Sequence, residues 1–439
     1  MNYNKISIAA IAAGMFAAGS AFAQNAEIAT WSGFRKGAAS FTFDDGAPSH
    51  VSDAGPTFKK YGYKGTFNLV VNWNPNWSGF QGLADEGHEI ASHSNSHGNN
   101  MSGEEESSKK NIQGKINQKY GIITVAYPNC NVPNESAVLQ NYIVGRICNG
   151  SWQSMSDDMG KDGPSNWAKV PANMTGSEGQ VKSTNDFTSR MQKVVQSGGW
   201  VAFLTHGFQG KTNGSANYSP TDLNAIDGAL KWAQQNDKDI WVAPMGFVAM
   251  YIKERKASKI EAQDGGAANT MTFELKHNIA DNISKYDYPL SIRVKSDWSK
   301  VEVTQGDAKL ESKVDGGYIY FDAVPNEGKI VVKNAAAAPE SSSSAEQPTS
   351  SSSVNPESSS SETALPMQAF DGRQLAAYVD ASGYITVQNA QGLNITVFNS
   401  LGNVVRTTKG IGLVQKVYSG AKGMYVVKIG NRAWTLKIK

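Results

Sequence analysis

The chain has 439 residues, with 41 Lys and Arg against 39 Asp and Glu, a formal charge of +2 and 40% hydrophobic residues. That length exceeds what one hydrophobic core supports, so about two or three domains are expected. Charges of both signs are mixed, and no basic stripe is present to gather phosphates, which argues against a nucleic-acid partner.

Lys5, an apolar run from Ile6 to Ala18 and Ala21-Phe-Ala23 ahead of Gln24 have the layout of a secretory signal over residues 1–23. The protein is therefore expected to be secreted or held at the cell surface. No later stretch reaches the roughly 18 to 20 apolar residues of a membrane helix. The two cysteines, Cys130 and Cys148, lie close in sequence. In an exported domain a disulfide is chemically allowed, worth on the order of 3 kcal/mol in the chain-entropy model, with two buried thiols as the alternative.

Over residues 24–256 short apolar strands alternate with helical periods. Phe187, Met191, Val194 and Val195 share one helix face, ended by Gly198-Gly199, and Leu223, Ile226 and Leu230 form another, opened by Ser219-Pro220. Trp200-Val-Ala-Phe-Leu204 between them reads as a buried strand. Alternating β and α predicts a parallel sheet closed into a barrel.

The reactive residues follow the predicted strands. Asp44 and Asp45 come after Ser40–Phe43, His93 and His97 after His88–Ser92, and Tyr127 after Ile122–Ala126. Arg146 follows Tyr142–Val144, and His206 follows Trp200–Thr205. Strand carboxyl ends open on one face of an α/β barrel, so these residues are expected to converge.

His93-Ser-Asn-Ser-His97 sets two imidazoles one helical turn apart, within reach of one ion. A carboxylate from another strand end would complete three ligands and leave a position open, as in catalytic zinc sites. Imidazole and carboxylate suit zinc, with cobalt and manganese as alternatives. Asp44-Asp45-Gly46 reads either as a simple turn or as a ligand beside a free base, because adjacent side chains point opposite ways. Of the six histidines, His88 is expected to hydrogen-bond structurally, while His50 and His277 have no assigned role.

From 257 to 334 apolar residues alternate with polar ones in Met271, Phe273, Leu275, then Leu290, Ile292, Val294, then Tyr318, Tyr320. The pattern predicts a small β-sandwich. Serine runs interleaved with Pro and Glu make 335–363 a linker. Strand patterns return in Tyr384–Val387, Ile395–Phe398 and Met424–Ile429, predicting a second all-β sandwich over 364–439.

Thr42-Phe-Asp-Asp-Gly46, Gly87-His-Glu-Ile-Ala-Ser-His-Ser-Asn-Ser-His97 and Leu204-Thr-His206 resemble the motifs of the NodB-homology polysaccharide deacetylases, carbohydrate esterase family 4. Lys64-Gly-Thr-Phe67 resembles that family's second strand, so the likeness covers most of 38–256. The resemblance implies a deformed parallel α/β barrel with fewer than eight repeats and hydrolysis of O- or N-acetyl groups. It implies Asp44 as base, His206 as acid beside pocket-lining Leu204, and Asp45, His93 and His97 as ligands of one divalent metal. It also implies an oxyanion donor among the backbone N–H groups near Tyr127. The sequence departs from the family where an arginine usually braces the catalytic aspartate, since Val125-Ala-Tyr-Pro128 has none; Arg146 is either its substitute or a surface residue. The family's aspartate behind the histidine acid falls among Asp157, Asp158 and Asp162.

Trp73, Trp77, Trp152 and Trp167 lie in polar loop segments, where they either stack on sugar rings or pack internally. Trp152 is the representative candidate for substrate binding. Acetylated xylan, chitin oligomers and peptidoglycan are the candidate substrates, and the serine-rich linker, by analogy with fibre-degrading bacteria, favours acetylxylan. The last domain ends in Gly423-Met-Tyr-Val-Val-Lys-Ile429 and Trp434-Thr-Leu-Lys-Ile438 and resembles type IX secretion sorting domains, which would make secretion machinery a partner; a carbohydrate-binding or purely structural module is the alternative reading. The competing reading is a noncatalytic carbohydrate-binding protein on a degenerate deacetylase barrel.

Overall fold

A computed structural model of the protein describes residues 26–148, 159–263, 269–336 and, in segments, 376–438. The signal expected at 1–23, Trp152, Asp157, Asp158 and the linker from 337 onward lie outside the described residues. Contacts divide the chain into two units, one holding residues 30–256 with 279–289, the other holding the N-terminal strand with 257–278 and 290–336.

The first strand, β1 (Ala26–Ile28), pairs antiparallel with Leu290–Lys295 and so belongs to the β-rich unit rather than to the parallel sheet. In the α/β unit the strands are β2 (Gly37–Phe43), β3 (Thr66–Leu69), β4 (Glu89–Ser92) and β5 (Thr124–Ala126). They continue as β6 (Val144–Arg146), β7 (Asn173–Met174), β8 (Trp200–Thr205) and β9 (Ile240–Val242). All pair in parallel in the order β6-β5-β4-β3-β2-β8-β7, with β9 on the start of β2. The chain before β7 turns the sheet towards closure: Val170 bridges Arg146, and its carbonyl accepts from Ile147 N at 2.9 Å. This is the deformed parallel α/β barrel expected.

Strand alternation sorts the side chains. Phe41, Phe43, Phe67, Leu69, Ile90, Val125, Tyr127, Val201 and Phe203 join the apolar cluster packed against the helices. The residues between them face the other way: Ser40, Thr42 and then Asp44; Thr66 and Asn68; Glu89 and then His93; Thr124; and Leu204, followed by His206. Polar residues thus line the inside of the barrel and run out at its carboxyl-end rim. Glu89 ties that interior together, accepting from Thr66 Oγ1 at 2.8 Å, Thr124 Oγ1 at 2.6 Å and Gly246 N at 2.8 Å, the last at the start of the helix Met245–Ala257.

The helix Thr184–Ser197 buries Phe187, Met191 and Val194, carries a capping box from Ser183 and Asp186, and ends on Gly198 at φ 75°. The next, Leu223–Gln235, starts later than expected: its N-cap is Asp222, which accepts from Asn224 N, while Ser219-Pro220 belongs to the preceding loop.

In the other unit two antiparallel sheets, of four and five strands, bury Met271, Phe273, Leu275, Leu290, Ile292 and Val294. The strand Tyr318–Ala323 has the opposite phase to the expectation, since it buries Ile319, Phe321 and Ala323 and turns Tyr318 and Tyr320 outward. Over 376–438 a three-stranded and a four-stranded antiparallel sheet share a core that includes Ile385, Val387, Ile395, Val397, Tyr425, Val427 and Ile429.

Candidate active site

Asp44 and Asp45 lie immediately beyond β2, where Asp44 N still bonds Thr205 O at 2.8 Å before the chain turns. The turn takes Asp45 to φ 76° and Gly46 to φ 64°. A left-handed conformation is tolerated by Asp more readily than by most residues. Here it sends neighbouring carboxylates to different tasks.

Asp44 is buried and held by both oxygens. Asn68 Nδ2 donates to Oδ1 at 2.8 Å, and Arg146 Nη2 donates to Oδ2 in a close ion pair. Burial alone would raise the Asp44 pKa, but the Arg146 guanidinium, with His93, His206 and the Asn68 hydrogen bond, holds it well below the usual carboxylate range. The guanidinium absent from Val125-Ala-Tyr-Pro128 thus reaches Asp44 from the next strand. Arg146 Nε and Nη1 are buried without a hydrogen-bond partner among the described residues.

Asp45 Oδ1 lies 3.5 Å from His93 Nε2 and 3.5 Å from His97 Nε2, and the three ligand-type atoms fall within 4.8 Å of one another. The two histidines meet through a loop, not along the helical turn expected: Ser94 and His97 have φ of 69° and 52°. The loop is fixed by His97 N donating to Ser94 Oγ at 2.9 Å and by Glu104 accepting from Asn95 N at 2.8 Å and Ser96 N at 3.1 Å. His93 Nδ1 meets the Ala126 carbonyl at 2.8 Å, so as the donor there it leaves Nε2 with its lone pair facing Asp45.

Burial lowers the His93 pKa to about 4 and lowers that of His97, keeping both neutral, the ligand form, at neutral pH. Burial and the nearby Asp44 charge push Asp45 up to about 8, and its Oδ1 has no hydrogen-bond donor. A buried carboxyl group facing two imidazole nitrogens lacks a positive charge. The donor set fits one divalent cation with three protein ligands and further positions open.

His206 follows β8. Its carbonyl meets His50 Nε2 at 2.9 Å, its buried Nδ1 has no partner among the described residues, and burial lowers its pKa. Leu204 precedes it by two and is buried on the same strand face. Asp162 pairs with Arg255 at 3.0 Å, which removes it as the aspartate behind His206. His88 is buried and accepts from Gly65 N at 3.0 Å through Nδ1.

Tyr127 itself does not supply the expected oxyanion donor. Its N–H bonds Arg146 O at 3.1 Å within the sheet, and its hydroxyl bonds Ala168 O at 2.6 Å on the helix side. Alternation along β5 sends the ring outward, into space left by Gly145, where a Cβ would collide with the Tyr127 hydroxyl. Cys130 and Cys148 form a disulfide with Cα atoms 5.5 Å apart, joining the chain beyond β5 to that beyond β6.

Two further residues meet the cluster besides those expected from sequence. Asn68 was signalled only by polar alternation along β3, and Tyr218, in an irregular loop, packs its ring against His206 at 5.4 Å and 87°. Trp73 stacks on His97 at 4.7 Å.

Residues 32–132 match the family model for polysaccharide deacetylase, so this stretch lies in a polysaccharide deacetylase domain. A gellan lyase from Bacillus sp. is 27% identical over 340 residues, 72% of this chain; the match spans only 13% of that lyase's length. The Xyl-CE4 domain of a multidomain xylanase from the hindgut metagenome of Trinervitermes trinervoides is similar at 20% identity and a TM-score of 0.32, over 48% of this chain and 89% of that one. A family 4 acetyl xylan esterase from Clostridium thermocellum, in complex with a cobalt ion, shows 16% identity and a TM-score of 0.29 over the same shares.

Proposed function

We propose that the α/β unit is a metal-dependent hydrolase that removes acetyl groups from a polysaccharide. The observation that carries this reading is the trio of buried Asp45 and His93 with half-buried His97, beside an Asp44 clamped by Arg146 and Asn68. Asp45, His93 and His97 would hold the ion, with zinc the first choice. A bound divalent cation supplies Lewis acidity, polarising an acetyl carbonyl and lowering the pKa of water.

Asp44 is the general base, taking a proton from the attacking water on a carboxylate whose direction Arg146 and Asn68 fix. The same contacts keep it ionised under conditions where His93 and His97 are neutral. His206 is the acid, carrying a proton to the departing sugar oxygen or nitrogen, with His50 anchoring the backbone that presents it. Leu204 lines the floor beside it. The substrate to test first is acetylxylan, then chitin oligomers and peptidoglycan.

The noncatalytic alternative rested on the missing family arginine, and the Arg146–Asp44 contact speaks against it. Export through the 1–23 signal, with the 364–439 region as a sorting domain, belongs to the same proposal. The test is acetate release from acetylxylan and chitin oligomers by metal-reconstituted wild type beside Asp44→Asn. Release confined to wild type supports the mechanism, and release undiminished in the variant would overturn the role of Asp44.

A further inference from the structure

Tyr218 is 58% exposed, yet the chain that carries it is firmly held. Ser219 beside it is buried with φ 48°, donates through Oγ to Thr175 O at 2.7 Å and accepts from Glu178 N at 3.0 Å. The base of the loop is closed by Thr221 N on Gly207 O at 3.0 Å and Gly207 N on Ala216 O at 2.9 Å. Asn213 staples its centre, exchanging hydrogen bonds with the Phe208 backbone at 2.8 and 2.9 Å and accepting from Ser49 Oγ at 2.8 Å.

An aromatic ring held out to water on a pinned backbone exposes apolar area without the ordering cost that a mobile loop would incur on binding. A single exposed aromatic residue is unremarkable. Here, however, the ring also touches the proposed acid, and a second exposed aromatic, Trp73, stacks on His97. Trp73 is fixed as well, because its turn bonds the histidine loop through Val71 N to Ser94 O at 3.2 Å and Asn72 N to Asn95 O at 2.9 Å. Each exposed ring thus stands against a different histidine of the cluster.

We propose that Tyr218, with Trp73, is a sugar-binding platform that makes an acetylated chain of pyranose rings, rather than a small free acetate ester, the preferred substrate. The C–H groups on a pyranose face are weakly positive and apolar, and they complement the negative face of an aromatic ring. A ring seated on Tyr218 places its neighbouring substituents beside His206, and one on Trp73 places a unit of the same chain beside His97. Tyr218 is therefore a substrate-positioning residue that sets specificity and takes no part in proton transfer. This inference rests on the deacetylase reading for its chemistry, but not for its binding test.

Two measurements separate the two. The first compares kcat/KM for acetylated xylohexaose with that for para-nitrophenyl acetate in Tyr218→Ala, Tyr218→Phe and, as a control from the C-terminal sheets, Tyr384→Ala. The glycan-to-ester ratio should fall about tenfold or more in Tyr218→Ala, the scale of losing one stacked ring, mainly through KM, and be restored by Phe. An equal fall on both substrates, or a Phe variant as impaired as Ala, overturns the platform, since either assigns Tyr218 to His206 or to its own hydroxyl. The second measurement is calorimetric binding of xylohexaose and chitohexaose to the full chain, with and without Tyr218→Ala, and it stands even if wild type releases no acetate. Weakening of about tenfold in the variant supports the platform; unchanged affinity, or no binding of either glycan by wild type, overturns it.

Discussion

Replacing Arg146 by Ala tests the clamp on Asp44. The two side chains are 1% and 3% exposed, so truncation leaves a buried carboxylate without its main counter-charge, a change that costs about 3–5 kcal/mol in buried pairs. The pH dependence is more diagnostic than the size. In the parent, Asp44 is held below its ordinary pKa, so the stability it contributes is present above about 3.9 and lost only as pH falls through the lower folded value. Without the guanidinium, burial becomes the dominant influence and the folded pKa rises above the unfolded one. The sign then reverses: the variant loses about 1.4 kcal/mol per pH unit relative to the parent as pH rises from about 4 to its new pKa. Urea unfolding of both proteins from pH 4 to 8 reads this directly, and acetate release over the same range should show a drop of about 10- to 100-fold with the acid limb displaced upward. Arg146→Lys, which keeps the charge, should recover part of both. A stability gap equal at pH 4 and pH 7, with turnover within twofold of the parent, would refute the bracing role.

Asn68→Ala removes a neutral hydrogen bond to the same carboxylate, and a loss of about 1 kcal/mol with a smaller upward shift of the acid limb is expected from unfolding curves and pH–rate profiles. Asp45 behaves oppositely to Asp44. Its folded pKa, raised to about 8 by burial and then by Asp44, means that the chelated protein is most stable below about 3.9 from this group and loses that contribution as pH rises through about 8. Chelated Asp45→Asn should therefore unfold at a higher temperature than chelated parent at pH 8, while binding no metal; a lower melting temperature would contradict the assignment.

The meeting of Asp45, His93 and His97 was legible because each motif sits at the end of an apolar strand, and a parallel barrel brings strand ends to one rim. Arg146 was legible for the same reason, although only the folded chain shows that it reaches Asp44. Asn68 was overlooked because asparagine usually marks turns. In Thr66-Phe-Asn-Leu69, however, the period of two puts it on the Thr66 face, and the same count would have sent Tyr127 outward with Val125. Tyr218 lies in a Gly-, Asn- and Ser-rich stretch without periodicity, so no local pattern points to it. The partner of β1 is some 260 residues away at Leu290–Lys295, a pairing that three residues of sequence cannot announce. The histidine spacing fitted a helical turn, but Ser94 and His97 adopt left-handed conformations supported by Glu104, a contact that spacing alone does not encode.

The most direct test of the account is calorimetric titration of the chelated full chain with zinc, followed by acetate release from acetylxylan, for wild type and His93→Ala. The account predicts one ion bound per wild-type chain, activity returning in proportion to occupancy, and neither in the variant. Full acetate release from the chelated protein, or unchanged zinc binding by His93→Ala, would contradict it.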